Sequence, residues 1–132
     1  MQHAPMNRLK RLKCLPIFVT IILFQHTQIS MKKYINGESF NSSENRLGLD
    51  DYINFVGATQ SSNSLSSVIN SQIEEIIDKL EQLNDPLSNE IITNKPAVTE
   101  AYSALQQLVP YLKVDMTSAL GVLITYQDND GD

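Results

Sequence analysis

Residues 64–83, SLSSVINSQIEEIIDKLEQL, decide the fold of this chain. They predict one long helix, because the apolar residues recur at spacings of three and four and so share one face. At about 1.5 Å per residue the helix would be roughly 30 Å long, which suits a bundle. The serine-rich residues 61–64 supply N-cap candidates, and Pro86 stops the helix because proline disfavours helical geometry in the residue before it. The predicted stripe is Leu65, Val68, Ile69, Gln72 or Ile73, Ile76, Ile77, Leu80 and Leu83.

A second long helix is predicted from residue 93 onward. Pro96 fits its first turn, where a missing amide has no intrahelical partner to lose. Pro110 lies inside the stripe and clashes with the carbonyl of Gln106, which predicts a kink or a break near residues 106–110. Gly121 closes the helix, and the β-branched run that follows is expected to be extended, before an acidic tail. The stripe continues through Ala97, Ala101, Tyr102, Leu105, Leu108, Val109, Leu112, Met116 and Leu120.

Two shorter elements come before these helices. Residues 31–35 are typical of a helix end, stopped by Asn36-Gly37, a pair that favours the left-handed conformation. The Ser- and Asn-rich residues 38–46 predict a loop. Residues 49–56 predict a short helix that ends at Gly57, with acidic residues in its first turn, where the helix dipole favours them. Its predicted buried stripe is Leu49, Tyr52, Ile53 and Val56.

These elements predict an all-α fold, an up-and-down helical bundle that is incomplete. Two long helices and one short one leave each apolar stripe half exposed, which is fewer layers than a stable bundle usually has. Three explanations are open. The first 30 residues contribute another helix, or the chain self-associates through its exposed apolar stripe, or it is the C-terminal fragment of a larger helical domain.

Composition and charge exclude several classes of protein. The 132 residues include 15 acidic and 10 basic side chains, one cysteine and two histidines. One cysteine cannot build an internal disulfide framework, and one cysteine with two histidines cannot supply a structural zinc tetrad without many carboxylates. A net charge of −5 disfavours nucleic acid as a partner.

The charge divides the chain in two. Residues 1–30 carry four basic side chains and no acidic one, a charge of +4, whereas residues 31–132 hold all 15 acidic side chains and six basic ones, a charge of −9. We therefore predict two parts, a basic and apolar segment over 1–30 and a helical part over 31–132.

Residues 1–30 have the order of a secretory signal peptide. A basic stretch precedes the apolar run CLPIFVTIILF at residues 14–24, and a polar stretch follows it. The run is about half the roughly 20 residues that a membrane-spanning helix needs, so no transmembrane span is expected. No small-x-small cleavage site follows Phe24. The alternatives are a core element of the fold, or a foreign or frame-shifted segment.

Candidate metal ligands lie at the C-terminal end. Asp128, Asp130 and Asp132 occupy positions one, three and five of a calcium-binding loop pattern. That loop also needs a glycine at position six and a glutamate at position twelve, so the pattern is half complete. The alternative is a solvated acidic end.

Acidic side chains on the first long helix form a second candidate. Glu74 and Asp78 are four residues apart on one face, which is the spacing of a carboxylate pair for acid-base or metal chemistry. Glu75 and Lys79 form an ordinary ion pair beside them, which favours a solvated face. No phosphate-binding loop or serine-nucleophile motif occurs in the sequence. Three further reactive side chains have no metal-ligand spacing and no nucleophile partner in the sequence: His3, Cys14 and His26.

Several segments resemble the C-terminal portion of the imelysin family. They are AYSALQQ at 101–107, LKVDM at 112–116, ALGV at 119–122 and YQDNDGD at 126–132, with YING at 34–37 and LDDYI at 49–53 upstream. The resemblance covers residues 31–132 in order and is lost over 8–30, where a frame shift would account for the difference. Pro110 departs from the family, which has an uninterrupted helix there.

The resemblance implies a bacterial, imelysin-like protein of the periplasm or outer membrane, from a family with many lipoproteins, built from helical bundles and linked to iron uptake. Iron or another divalent metal is the cofactor it suggests. The family was classed as metallopeptidases on a G-x-H-x-x-E motif, which this sequence lacks, so no catalytic, cofactor or metal residue carries over. The expectation is a fragment that is not catalytic by itself, whose partner is the remainder of an imelysin-like domain. Two alternatives are a metallopeptidase-type protein whose motif is lost by truncation, and a small exported helical protein that binds a partner.

Overall fold

The protein is an all-α helical bundle. The computed structural model describes residues 8–41, 44–84 and 86–122, with side chains from Ile21 onward. Its elements in chain order are α1 (Arg8–Ile35), α2 (Leu49–Phe55), β1 (Thr59–Gln60), β2 (Asn63–Ser64), α3 (Leu65–Glu81), α4 (Leu87–Thr93), α5 (Lys95–Pro110), a π-helical segment (Tyr111–Met116) and α6 (Thr117–Ala119). The predicted extended run and acidic tail beyond Val122 lie outside the described residues.

Helix α3 is the centre of the bundle. Helices α1 and α5 pack along it, and α2 and the π-helical segment add further contacts. The stripe predicted from residues 64–83 is confirmed, and both members of the Gln72/Ile73 alternative are buried. Three isoleucines of α3 are fully inaccessible to solvent: Ile69, Ile73 and Ile76.

Polar contacts fix the antiparallel order of α1 and α3. Lys32 Nζ lies 2.6 Å from Glu74 Oε1, and Asn70 Nδ2 donates to Asn36 Oδ1 at 2.9 Å. Residue numbers therefore rise along α1 as they fall along α3. The buried stripe of α1, Ile21, Gln28 and Ile35, faces this contact at seven-residue spacing.

A second set of contacts fixes α5 antiparallel to α3. Lys79 Nζ lies 3.3 Å from Glu100 Oε2, and Gln72 Nε2 donates to the carbonyl oxygen of Ala104 at 3.1 Å. Gln72 is buried, so this hydrogen bond crosses the helix interface inside the core. These hydrogen bonds and ion pairs, together with apolar packing, thus define the up-and-down order of α1, α3 and α5.

Helix α1 continues through the boundary predicted at residue 30. It runs without interruption from Arg8 to Ile35, and Ile21, which belongs to the first of the two predicted parts, is buried with the core residues of α3 and α5. Residues 21–30 therefore belong to the same packed body as the helices that follow.

Predicted helix ends are found where the sequence places them. Helix α1 ends at Ile35, and Gly37 has a φ of +64° in the turn that follows. Helix α2 ends at Phe55, before Gly57 with a φ of +68°. Pro96 lies in the first turn of α5, as expected.

Of the apolar stripe predicted for α2, one member is fully buried. Ile53 is buried and Leu49 is half-buried, but Tyr52 and Val56 are exposed. The reason is that this seven-residue helix is covered mainly from the side of α3.

Pro110 is followed by a change of helix type, and the helix is not broken near residues 106–110. Helix α5 stays regular up to Pro110, and the wider π-helical turn begins at the next residue. Proline has no amide to donate, and a change to longer hydrogen-bond spacing is one way for the chain to continue past it.

Two elements have no counterpart in the predicted pattern. The residues proposed as N-cap candidates form a tight hairpin, in which Ser61 and Ser62 have φ values of 50° and 72°. Helix α4 lies between the two long helices, and its buried Glu90 accepts hydrogen bonds from Asn84 at 3.3 Å and Asn94 at 3.0 Å. Side-chain hydrogen bonds stabilise both the hairpin and α4.

The turn after α1 gives a test of the backbone geometry. We expect Gly37→Ala to lower the free energy of unfolding by about 3 kcal/mol, because the new Cβ would overlap the carbonyl oxygen of Arg46 and the left-handed conformation adds its own cost. Gly57→Ala is the matched control, since its φ is similar but its Cβ would meet open space, and it should cost about 1 kcal/mol. Urea unfolding followed by circular dichroism measures both. Equal costs for the two variants would contradict this account.

Candidate apolar docking groove

The residues predicted as metal or acid-base candidates do not converge on a site in the described structure. Asp128, Asp130 and Asp132 lie outside the described residues, as does His3, while the side chain of Cys14 is not described. His26 is exposed. Among the described side chains, no group of three or more His, Cys, Asp or Glu residues could hold a metal ion.

The acidic face of α3 is engaged in surface ion pairs. Glu74 pairs with Lys32 of α1, while Lys79 lies 3.7 Å from Glu75 and 3.3 Å from Glu100 of α5. Glu74, Glu75 and Glu100 are each more than half exposed, so these pairs add little to stability. The solvated-face interpretation fits this arrangement.

An apolar groove lies between α1 and α5. Helix α3 forms its floor, and α4 closes one end. The space measures about 160 Å³, and every side chain that lines it is apolar or aromatic. We call this the α1/α5 groove, and it is lined by Ile21, Phe24, Leu80, Leu83, Leu87, Val98, Ala101, Tyr102 and Leu105.

The groove exists because α1 and α5 each pack against α3 and make little contact with one another within the described helices. Ala101 is a small, buried residue on the α5 wall of the groove. With a short side chain at 101, the wall of α5 does not reach across to α1.

Two aromatic side chains form the rim of the groove. Phe24 of α1 is 45 % exposed and Tyr102 of α5 is 60 % exposed, while Leu80 and Ala101 beneath them are buried. An aromatic rim over an apolar floor is the surface chemistry of protein-binding hot spots, where large side chains enter desolvated pockets.

One buried polar atom lies on α1. Gln28 is 5 % exposed, and its Oε1 has no hydrogen-bond partner among the described residues, but Gln28 belongs to the face of α1 that packs toward α3 and does not line the groove. An unpaired buried acceptor of this kind costs about 1–3 kcal/mol.

Sequence patterning located the residues of the groove without revealing the groove. Ala101, Tyr102 and Leu105 belong to the predicted stripe of the second long helix, and Leu80 and Leu83 belong to the stripe of α3. The signal that could have pointed to a gap is the small side chain of Ala101 within the predicted stripe. The contribution of α1 through Ile21 and Phe24 was expected only under the core-element alternative for residues 1–30.

Comparison of this chain with protein-family models, with curated proteins and with solved structures gives no match. Its function is therefore argued from the groove itself. The groove has the chemistry to bind apolar side chains, and the polar group on the side chains that line it is the Tyr102 hydroxyl, which accepts a hydrogen bond from Gln106 at 2.9 Å.

The groove can be probed with an apolar dye. We expect anilinonaphthalene sulfonate to gain fluorescence on binding, and Tyr102→Glu to abolish most of this gain, because a carboxylate at the rim opposes burial of an anionic aromatic dye. Tyr34→Glu is the matched control, since Tyr34 is 71 % exposed and does not line the groove. Melting temperatures should stay similar, since both side chains are exposed. Equal dye binding by the two variants would contradict the assignment.

Proposed function

We propose that this chain is a helical docking module without catalytic activity of its own, the C-terminal portion of an imelysin-like exported protein associated with iron uptake. The observation that carries the docking role is the α1/α5 groove. An apolar channel between two helices, floored by a third, is the place where a further bundle helix packs.

The resemblance to the imelysin family supports the second half of this proposal. It implies a helix end, a loop and a helix over residues 34–53. The chain has the same order, with α1 ending at Ile35 and α2 beginning at Leu49. The helical content of residues 95–119 likewise agrees with the family's C-terminal helices.

The occupant that best fits the groove is an amphipathic helix from the remainder of such a domain. A helix presents apolar anchors at spacings of three, four and seven residues, and a groove between helices receives them. Self-association through the same surface is the second candidate. It is favoured by the exposure of Phe24 and Tyr102, which two copies could bury against each other.

A peptidase activity has less support. The motif on which the family was classed supplies a histidine and a glutamate, and this sequence lacks it. A metallopeptidase-type parent that lost its motif by truncation remains an alternative for the origin of the chain.

The docking role can be tested by supplying the missing partner in trans. We expect the full chain to form a one-to-one complex with the separately purified, G-x-H-x-x-E-bearing portion of an imelysin-family protein. Phe24→Glu should weaken this complex tenfold or more, because a buried aromatic anchor is replaced by a charge. Isothermal titration calorimetry gives the affinities.

Phe55→Glu is the matched control for this experiment. Phe55 is 86 % exposed on α2 and does not line the groove, so its replacement should leave the affinity unchanged. Sedimentation velocity of the chain alone separates the two occupants, because self-association alone gives a concentration-dependent dimer that Phe24→Glu abolishes. Failure of both complex formation and dimerisation would overturn the docking role.

Export and the link to iron need an experiment in cells. We expect the chain, expressed with its own N-terminus in a Gram-negative bacterium, to fractionate with the periplasm or the outer membrane. In its native genome, its transcript should rise when iron is withheld. Mass spectrometry of the exported protein shows whether residues 1–30 are removed. A chain that stays in the cytoplasm and does not respond to iron would contradict this part of the proposal.

A further inference from the structure

The beginning of α1 differs in charge from the rest of the chain. Residues 8–13 contain four basic side chains, and no acidic side chain occurs before residue 38. The remaining helices belong to a part with a charge of −9. An anionic surface would attract residues 8–13 and repel the acidic helices that follow.

The position of these cations at a helix N-terminus strengthens the argument. Helix α1 begins at Arg8 and has no acidic residue in its first turn. The positive end of the helix dipole disfavours cations there. An anionic surface beside this turn would neutralise both the basic side chains and the positive end of the dipole. The basic cluster alone does not identify the surface.

The apolar run that follows identifies it. Residues 14–24 contain no charged side chain over about three helical turns. At the described end of this run, Ile22, Leu23 and Phe24 are exposed. Leu23 is 56 % exposed and does not line the α1/α5 groove, so a helix that docks in the groove leaves it uncovered.

The length of α1 also indicates that part of this helix is left uncovered. Helix α1 has 28 residues against 17 in α3, so packing on α3 cannot cover the whole of α1. The apolar run is about 16 Å long in a helix, which is about half the thickness of a bilayer core. In the part of the chain that the structure describes, no helix is long and apolar enough to cross a membrane. The segment fits one leaflet of a membrane surface.

We propose that the first half of α1 binds the surface of an anionic lipid bilayer, with its basic residues at the phosphate headgroups and its apolar run at the headgroup–acyl boundary. A nucleic acid offers the same negative charge but no apolar phase for residues 14–24. This binding does not rest on the docking role, because the charge of residues 8–13 and the exposed Leu23 act independently of the groove, which shares Ile21 and Phe24 with the apolar run.

The test is co-flotation of the full chain with lipid vesicles. We expect binding to vesicles of phosphatidylcholine mixed with phosphatidylglycerol, weak binding to phosphatidylcholine alone, and loss of binding at high salt. The double variant R8Q/K10Q should bind the anionic vesicles about 30-fold more weakly, the loss expected for two basic residues at a charged surface. Leu23→Ser should weaken binding at every salt concentration, because it removes apolar contact and not charge.

The double variant R46Q/K95Q is the matched control, since it removes two cations from outside α1 and should bind like the unaltered chain. Equal losses in R8Q/K10Q and R46Q/K95Q would overturn the proposal, as would equal binding to neutral and anionic vesicles or binding to neither. Tighter binding to a DNA duplex than to anionic vesicles would assign the basic segment to nucleic acid instead. In each of these cases Tyr102→Glu, on α5 and outside residues 8–24, reports separately on the docking groove.

Discussion

Burial of the isoleucine stripe of α3 is the interaction on which the rest of the structure depends. Ile69, Ile73 and Ile76 are fully buried, and each contributes about 1.5–3 kcal/mol relative to an exposed side chain. A single neighbouring helix cannot cover a stripe this wide, so α1 and α5 pack on its two sides, with α2 and the π-helical segment against its first turns. Without α3, α1 and α5 would have little direct contact with each other.

Apolar burial has no direction, so the register of the helices depends on polar groups. Gln72 bonds across the core to the backbone of α5, and Asn70 bonds to the residue that follows α1. At the start of α3, Asn54 accepts hydrogen bonds from the hydroxyls of Ser64 and Ser66, which fixes the hairpin against α2. Sliding any of these helices by one turn would keep most apolar contacts but leave buried amides without partners. Polar contacts thus select one arrangement among several that hydrophobicity alone would permit.

The same distinction explains how far the sequence predicts the structure. Helix α3, the end of α1, and helices α2 and α5 follow from spacing and from Gly37 and Pro96, because those signals act within a few residues. The hairpin was not predicted, because Ser61 and Ser62 carry no glycine or Asn-Gly signal for positive φ, and the hydrogen bond that joins the hairpin to α2 runs from Ser64 to Asn54, ten residues away in sequence. Helix α4 depends on Glu90 bonding to asparagines on both sides of it. The groove could not be predicted, because its width depends on how α1 and α5 lie on α3, a property of three helices together.

The groove is the consequence of making α3 the shared partner of both long neighbours. Helices α1 and α5 each pack one side of their apolar stripe against α3. The sides that face each other are not in contact at Ala101, because its side chain is too short to reach α1. A bulkier residue at 101 would fill the gap between α1 and α5 and remove the surface that a fourth helix can enter. Apart from the Tyr102 hydroxyl, the side chains of the lining and the rim are hydrocarbon. Such a surface stabilises a complex by excluding water from a second apolar chain.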